Sequence, residues 1–203
     1  MMSRLRRPLR YWQIFFLILI TRPRRILEIG IWTGDRALTM LRVAKWRSSA
    51  TDIHYYGCDL FEQMTSAKFS DEKSKWPLPQ DEVMARLKPT QAHIHILAGD
   101  TMNTLPKLVR EEAPMDFIFI DGGHSLETIA SDWLWVSRLM HKGTVVVFDD
   151  YWIGRTDAGC KVTVDNIDRT KYHVSLLPIV DSFSATAFGP LRIKLAKVTR
   201  ASS

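Results

Sequence analysis

The chain of 203 residues, 46% of them hydrophobic, is long enough for one substantial α/β core and too short for two comfortable domains. Its net charge of +6 comes from the first 25 residues, which hold seven arginines and no acid, so that 21 basic residues face 22 acidic ones in the rest. This near-neutral body excludes a general affinity for polyanions, and we expect no nucleic-acid partner.

The segment before the first strand carries an apolar run, residues 11–20, flanked by Arg10 and Arg22. A membrane-spanning helix needs about 20 apolar residues, and no small-residue cleavage site follows the run. We therefore expect residues 1–22 to form a helical arm that packs on the sheet or on a second subunit of a homo-oligomer. Peripheral membrane contact through residues 4–22 is the alternative.

A glycine-containing turn follows the first predicted strand, residues 26–29, and opens onto a predicted helix at 37–46. Gly30 and Gly34 allow the backbone to approach a ligand closely. The unit predicts a cofactor site at the carboxyl end of a first parallel strand. Its spacing, Glu28-x-Gly30-x-x-x-Gly34, differs from the Gly-x-Gly-x-x-Gly of nicotinamide and flavin binders and from the phosphate loop, which argues against pyrophosphate recognition.

The second predicted strand, residues 53–59, ends in Asp59, and Leu60 follows it. An acidic residue at this place in a cofactor fold can accept hydrogen bonds from both ribose hydroxyls, while the alternative is a cap of the next helix. The two cysteines, Cys58 in this strand and Cys160 far from it, have neither a metal-site spacing nor a disulfide framework. They indicate a reduced, cytoplasmic setting.

A charged insertion, residues 62–88, precedes the third predicted strand, residues 93–98. Because it is longer than a minimal crossover, it predicts a helical cover, with a lid over the substrate as the alternative. The third strand turns through Gly99 into a helix. Asp100 could reach an adenine amino group from this turn, whereas Asp100 or Thr101 could equally be a plain helix cap.

The chemistry is predicted at the ends of two consecutive buried strands, residues 115–120 and 143–148. Two parallel strands joined by a helical crossover usually lie side by side, so that Asp121, Asp149 and Asp150 would meet at one edge of the sheet. Three carboxylates crowded together repel one another unless a cation sits among them. Oxygen ligands without cysteine suit Mg²⁺, Mn²⁺ or Ca²⁺, and we predict a divalent metal, Mg²⁺ by preference.

The last part of the chain predicts a helix at 162–168 and late strands at 172–177, 185–188 and 191–198. A hairpin added to a parallel sheet implies one reversed strand. The expected fold class is therefore α/β: a Rossmann-like, doubly wound, mostly parallel seven-stranded sheet with helices on both faces and a C-terminal reversed edge strand. A single domain, residues 23–203, follows the arm.

Several motifs together resemble one enzyme family. They are Ile-Leu-Glu28-Ile-Gly30-x-x-x-Gly34, Tyr-Tyr-Gly-Cys-Asp59-Leu-Phe-Glu, Gly99-Asp100-Thr101, Phe-Ile-Phe-Ile-Asp121-Gly-Gly-His124-Ser and Val-Val-Phe-Asp149-Asp150-Tyr. Within the class I S-adenosylmethionine-dependent methyltransferases, they resemble the metal-dependent O-methyltransferases of the macrocin O-methyltransferase type. The similarity covers roughly residues 24–155, with the arm outside it.

The resemblance implies a cofactor, a metal and a base. S-adenosylmethionine would bind at Glu28, Gly30, Gly34, Asp59, Leu60, Gly99, Asp100, Thr101 and Asp121. A divalent metal would bind at Asp121, Asp149 and Asp150, and His124 would be the general base, with Asp121 beside it in the catalytic group. Two departures, Gly123 where an acidic residue is common and Ser125 without a following aromatic, weaken the assignment of a substrate more than that of the fold.

The implied reaction is methyl transfer to a hydroxyl of a small molecule, a sugar or natural-product glycoside by preference. A metal that binds the hydroxyl would lower its pKa and orient it, and a histidine could accept the proton. Two other function classes stay open: a nucleic-acid or membrane-associated methyltransferase that uses the arginine-rich arm, and a non-catalytic S-adenosylmethionine-binding module. The aromatic pair Tyr151 and Trp152 could contact substrate or serve only in packing.

Overall fold

Five parallel strands form the body of the sheet in this computed structural model, which describes residues 8–72, 74–184, 186 and 189–201. The strands lie side by side in the order β3-β2-β1-β4-β5, and their apolar runs are buried because helices cover both faces. The chain order reverses between β1 and β4, which opens a crevice at the carboxyl ends of these strands. Their bounds are β1 Arg25–Ile29, β2 His54–Asp59, β3 His93–Ala98, β4 Met115–Ile120 and β5 Met140–Trp152.

The described residues form seven α-helices, and six of them cover the two faces of the sheet. One face packs against side chains of α1, α2 and α4, and the other packs against α5, α6 and α7. This arrangement confirms the doubly wound α/β fold. The helices are α1 Tyr11–Thr21, α2 Asp35–Ala44, α3 Ser66–Asp71, α4 Gln80–Leu87, α5 Thr101–Glu111, α6 Leu126–Val136 and α7 Lys161–Asp165.

Three late strands complete the sheet: β6 Tyr172–Leu176, β7 Asp181–Phe183 and β8 Leu191–Arg200. The reversed strand is β8, which pairs antiparallel with β5 on one side and with β6 on the other. The mostly parallel sheet with a reversed strand is confirmed, although β6 forms the outer edge and the short β7 is an eighth strand that also pairs with β8. The strand predicted at 185–188 lies almost entirely outside the described residues.

The arm is joined to the sheet through α1. Ile14 and Ile18 of this helix are completely buried, and α1 contacts α2 along the same face of the sheet. Packing on the sheet was one of the two arrangements expected for the apolar run. Within the described part of the chain, every helix is too short or too polar to span a bilayer.

Candidate active site

A cavity of about 710 Å³ opens at the carboxyl ends of β1, β2, β4 and β5. The turn after β1 forms its floor. Gly30 has φ of +87°, and a Cβ atom there would overlap the carbonyl oxygen of Asp121, so only glycine lets the two turns approach this closely. Gly34 has φ of +77° at the start of α2 and does not line the cavity. A Cβ atom there would lie 3.3 Å from Val83, and the contact of Gly34 with the cofactor stays a prediction.

The Asp59 carboxylate lies at the end of β2 and faces the cavity beside Leu60. It accepts hydrogen bonds from the backbone N–H groups of Ile31 and Trp32, both at 2.8 Å, and of Leu60 at 2.7 Å. Burial raises the pKa of Asp59, and these hydrogen bonds oppose that rise. Asp59 therefore ties the glycine turn to β2, and its contact with a ribose stays a prediction.

The turn after β3 brings Gly99, Asp100 and Thr101 to the wall of the cavity. Asp100 caps α5, because its Oδ1 accepts a hydrogen bond from the Met102 N–H at 3.0 Å. Its other oxygen forms an ion pair with Lys68, which lowers the pKa of Asp100 even though burial acts in the opposite direction. The capping role considered for Asp100 is thus present, and contact with an adenine stays a prediction.

Glu28 lies in the middle of β1 and is completely buried, so it does not line the cavity. Its Oε2 accepts a hydrogen bond from the Tyr55 hydroxyl at 2.5 Å, and its Oε1 has no hydrogen-bond partner among the described residues. Burial raises the pKa of Glu28 to about 7, although the nearby Arg36 guanidinium lowers it. The predicted contact of Glu28 with the cofactor stays a prediction.

His124 and Asp150 form a pair on the wall of the cavity. Nε2 of His124 lies 2.6 Å from Oδ2 of Asp150, and Nδ1 lies 3.1 Å from the backbone carbonyl oxygen of Glu72. Burial lowers the pKa of His124, but Asp150 and the carbonyl favour the charged imidazolium, and the pKa is raised on balance. Burial likewise raises the pKa of Asp150, and its interaction with His124 outweighs this and holds the pKa below its usual value.

The backbone of Asp150 has φ of +56°, a left-handed conformation that is uncommon for residues other than glycine and is adopted by Asp more readily than by most. Trp152 supports this residue from the side, because its indole Nε1–H donates to Oδ1 of Asp150 at 3.1 Å. The indole ring also stacks against the His124 ring, with the centroids 5.8 Å apart. Trp152 therefore contributes to the site, whereas the Tyr151 hydroxyl donates to Asp165 away from it.

Asp149 does not join this group. Its side chain is fully buried and is held by Arg10 of the arm, whose Nε lies 2.7 Å from Oδ1 and whose Nη2 lies 3.0 Å from Oδ2. The Tyr11 hydroxyl donates to Oδ2 at 2.8 Å. Among the described His, Cys, Asp and Glu residues, the group whose possible ligand atoms lie within 4.8 Å of one another is Asp121, His124 and Asp150, which is not the carboxylate trio that the sequence predicted.

Arg36 holds the third carboxylate of the cluster. It forms an ion pair with Asp121, and its guanidinium lies 3.8 Å from the centre of the Tyr11 ring. Sequence reasoning missed Arg10, Tyr11 and Arg36. The position of Arg36 could have indicated its role. A basic residue in the first turn of a helix is disfavoured by the helix dipole, so a carboxylate is expected nearby.

Glu72, from the predicted cover, lies beside Gly123. Its carboxylate occupies the space that a side chain at Gly123 would take, and it accepts hydrogen bonds from the Thr128 hydroxyl at 2.6 Å and the Ser125 N–H at 3.2 Å. An acidic group therefore lies beside this glycine, supplied by a different part of the chain. Met64, Lys68 and Phe69 of the same insertion line the cavity, so the segment covers the site.

Comparison with known proteins assigns the family. A family model described as a methyltransferase domain matches residues 27–151. Curated proteins give no significant match. Similar solved structures include an O-methyltransferase from Bacillus cereus in complex with S-adenosylhomocysteine, which has 16% identity and a TM-score of 0.63 and aligns over 98% of this chain and 84% of that one.

Two further solved structures have the same fold. TomG, an O-methyltransferase from Streptomyces achromogenes involved in tomaymycin synthesis and solved with S-adenosylmethionine, has 19% identity and a TM-score of 0.59 over 93% of this chain and 79% of that one. PaMTH1, a methyltransferase from Podospora anserina bound to S-adenosylhomocysteine, has 17% identity and a TM-score of 0.62 over 100% and 80%. Because the family model covers more than half of the sequence, the chain belongs to this methyltransferase-domain family, which confirms the class I S-adenosylmethionine-dependent methyltransferase that the sequence predicted.

Proposed function

We propose that this protein transfers the methyl group of S-adenosylmethionine to a hydroxyl of a small molecule, and that it does so in a reduced, cytoplasmic setting. The observation that carries the proposal is the His124–Asp150 pair, which lies on the wall of a cavity whose rim also holds the glycine turn and Asp59. The similar structures from Bacillus cereus and Podospora anserina contain S-adenosylhomocysteine, the product of methyl transfer, which supports the same cofactor here.

The lining of the cavity divides into two parts in this proposal. The cofactor would bind against the turns that follow β1, β2 and β3, where Gly30, Asp59 and Asp100 lie. The acceptor would bind against His124 and Trp152, where an aromatic wall suits a sugar or natural-product ring. The involvement of TomG in tomaymycin synthesis supports a natural-product hydroxyl as the acceptor class.

The His124–Asp150 pair would accept the proton of the acceptor. Its two facing atoms, Nε2 and Oδ2, share one proton when the imidazole is charged, and they can take up a proton when it is neutral. The acceptor oxygen then attacks the sulfonium methyl in line. A carbon–oxygen bond forms, the carbon–sulfur bond breaks, and S-adenosylhomocysteine leaves while the proton stays on the pair. General-base assistance of this kind contributes about 10²- to 10⁴-fold to rate.

The predicted metal site does not fit the side chains that are present. Asp149 is fully engaged by Arg10 and Tyr11, and Asp121 already faces Arg36. The group that does come together, Asp121 with His124 and Asp150, would consume the base itself as a ligand. No step of the reaction is therefore assigned to Mg²⁺ or another divalent ion.

Calorimetry with S-adenosylhomocysteine, followed by transfer of a labelled methyl group to a panel of hydroxylated glycosides and phenols, tests the proposal. His124→Gln should retain cofactor affinity and lose transfer. His173→Gln changes an exposed histidine on β6 and should retain both, which makes it the matched control. Tighter binding of NAD than of S-adenosylhomocysteine would overturn the assignment of the cofactor.

We propose, as a second candidate, that the enzyme works at an anionic membrane surface. The outer side of the arm exposes four large apolar side chains at helical spacing, Leu9, Trp12, Phe16 and Ile20, each at least 55% exposed. A helix that is apolar all round calls for a cover on its outer side as well. The neighbouring exposed basic residues Arg22, Arg24, Arg42 and Arg47 favour anionic lipid as that cover.

Sedimentation with phosphatidylglycerol vesicles tests this second candidate. The full chain should bind them, should bind phosphatidylcholine vesicles more weakly, and should lose binding when Trp12 and Phe16 are changed to serine. Light scattering of the protein alone detects the competing outcome, a homo-oligomer in which a second copy covers the stripe. A dimer that the same two substitutions disperse, together with no vesicle binding, would contradict the membrane candidate.

A further inference from the structure

We propose that Arg10 supplies from within the chain the positive charge that a divalent cation would supply, so that methyl transfer by this enzyme needs no metal. The inference rests on the proposed function and concerns the same site. It assigns a positioning role to the N-terminal arm, which the sequence placed outside the catalytic domain.

The first observation is that the Asp149 carboxylate has no acceptor capacity left for an ion. A carboxylate has two oxygens with about four lone-pair positions. Oδ1 accepts from Arg10 Nε at 2.7 Å and from the Asp150 backbone N–H at 2.7 Å. Oδ2 accepts from Arg10 Nη2 at 3.0 Å and from the Tyr11 hydroxyl at 2.8 Å. A metal at Asp149 would have to displace one of these four donors from a side chain that is fully buried.

The second observation is that each carboxylate of the cluster has a basic partner from this chain. Arg10 faces Asp149 and also Asp181, Arg36 faces Asp121, and His124 faces Asp150. The repulsion that led to the prediction of a metal is thus compensated by side chains. A further divalent ion would add two positive charges where the carboxylates already have basic partners.

The third observation is that Arg10 is fixed from several directions. Its side chain is 5% exposed, its Nη1 lies 3.1 Å from Oδ2 of Asp181, and the Asp181 oxygens also accept the backbone N–H groups of Leu9 and Arg10. Two parallel hydrogen bonds from a planar guanidinium hold Asp149 in one orientation, which a lysine or a hydrated ion does not reproduce. The arm is therefore anchored where this charge is needed.

The fourth observation connects Arg10 to the proton acceptor. The Asp149 oxygen that Arg10 holds at 2.7 Å also accepts the backbone N–H of Asp150, the residue with φ of +56°. Through this contact Arg10 fixes the backbone that directs Oδ2 of Asp150 to His124. Arg10 acts through Asp149 and Asp150, and its Nη2 also lies 4.0 Å from Oδ1 of Asp150.

Manganese binding and methyl transfer by the full chain test this inference together. Mn²⁺ titrated into the wild-type protein with S-adenosylhomocysteine present, and followed by the electron paramagnetic resonance of free Mn²⁺, should remain free into the millimolar range. Turnover with an acceptor from the panel should be the same before and after EDTA. Mn²⁺ bound one to one, or turnover that EDTA abolishes and Mn²⁺ restores, would overturn the inference and leave the proposed methyl transfer standing.

Variants of Arg10 add the second arm of the test. Arg10→Met should lose most of its turnover, added Mn²⁺ should not restore it, and Arg10→Lys should recover only part of it because the charge is kept and the paired hydrogen bonds are lost. Arg24→Met, an exposed arginine of the same segment, should match the wild type. Restoration of Arg10→Met by Mn²⁺ alone would contradict the inference. Failure of all these proteins to bind S-adenosylhomocysteine would instead contradict the proposed function.

Discussion

Asp149 and Asp150 are consecutive residues of β5 with opposite surroundings. Asp149 is buried against the arm and saturated by a guanidinium, a phenol and a backbone amide, whereas Asp150 lines the cavity and faces an imidazole. The pairing of β5 with β8 is irregular between Phe148 and Tyr151, and such an irregularity re-aims side chains at a strand end. One carboxylate thus becomes an anchor and its neighbour a reactive group, a division that residue type alone does not reveal.

Exchanging each carboxylate for its amide tests this division with the largest expected effect. Asp150→Asn should lower turnover by about 10²- to 10⁴-fold, because the proton acceptor loses its anionic member, while affinity for S-adenosylhomocysteine is kept. Asp149→Asn should lower turnover less and should lower the free energy of unfolding more. Single-turnover kinetics and calorimetry on both variants measure the two effects. Equal losses of turnover would show that the two residues do not differ in role.

Removing the partner of Asp149 should cost stability in addition to turnover. Arg10→Met leaves a buried carboxylate without its counter-charge, which typically costs about 3–5 kcal/mol of unfolding free energy. Urea unfolding measures this loss, and Arg24→Met should stay within about 0.5 kcal/mol of the wild type. Adding Asp149→Asn to Arg10→Met should recover part of the loss, because the remaining group is neutral. Fully additive losses would show that the two side chains do not interact.

Removing the predicted ribose contact of Asp59 should have a smaller effect, on cofactor affinity, and it does not alter Asp149 or Asp150. Asp59→Ala should weaken binding of S-adenosylhomocysteine by about 1–3 kcal/mol, because an acceptor for ribose hydroxyls and for the glycine turn is lost. Calorimetry measures this change. Leu176→Ala, at an exposed position on β6, is the control and should leave the affinity unchanged. Unchanged affinity in Asp59→Ala would assign Asp59 to the glycine turn alone.

A change of pH is the smallest perturbation that tests the role of Asp150, because it changes the protonation of His124 and leaves every side chain in place. A base must be neutral to accept a proton, and since Asp150 raises the pKa of His124, turnover should increase as the pH rises through that raised value. The same pairing stabilises the folded protein fully at pH values below the pKa that His124 has in the unfolded chain. This stabilisation is lost as the pH rises through the raised pKa that His124 has in the folded protein. Ring-proton resonances of His124 should titrate at lower pH in Asp150→Asn than in the wild type. A titration that does not move would show that Asp150 is not the cause.

Much of the fold could be predicted because local patterns determine it. The strands at β3 and β4 begin and end at the residues that their apolar runs indicated, since a run bounded by polar and glycine residues has few other uses. The edge was harder. Chain order alone does not tell that β6 joins the outer side of the reversed β8, which places β8 one strand in from the edge. The prediction of seven strands also did not include the short β7.

Only those residues of the site that directly follow a strand could be predicted from the sequence. Asp121, His124 and Asp150 follow buried strands and could be placed at the rim from strand ends, and they do line the cavity. The need for a cation among the carboxylates was also apparent. The residue that supplies this cation could not be predicted, because Arg10 lies 139 residues before Asp149 and no sequence periodicity connects the two. Glu72 was equally hidden, since it reaches Ser125 across 53 residues.

The anchoring of the arm also has a consequence for the order in which the protein assembles. Arg10, at the start of α1, finds its polar partners 139 and 171 residues later in the sequence, at Asp149 and Asp181. Contacts of such sequence separation form late, because a long loop must close before they contribute. A nascent chain can therefore build the parallel sheet from its early strands while the arm still lacks its partners. We therefore expect the site to be complete only after β5 and β7 have joined the sheet, because Asp149 and Asp181 lie on these strands.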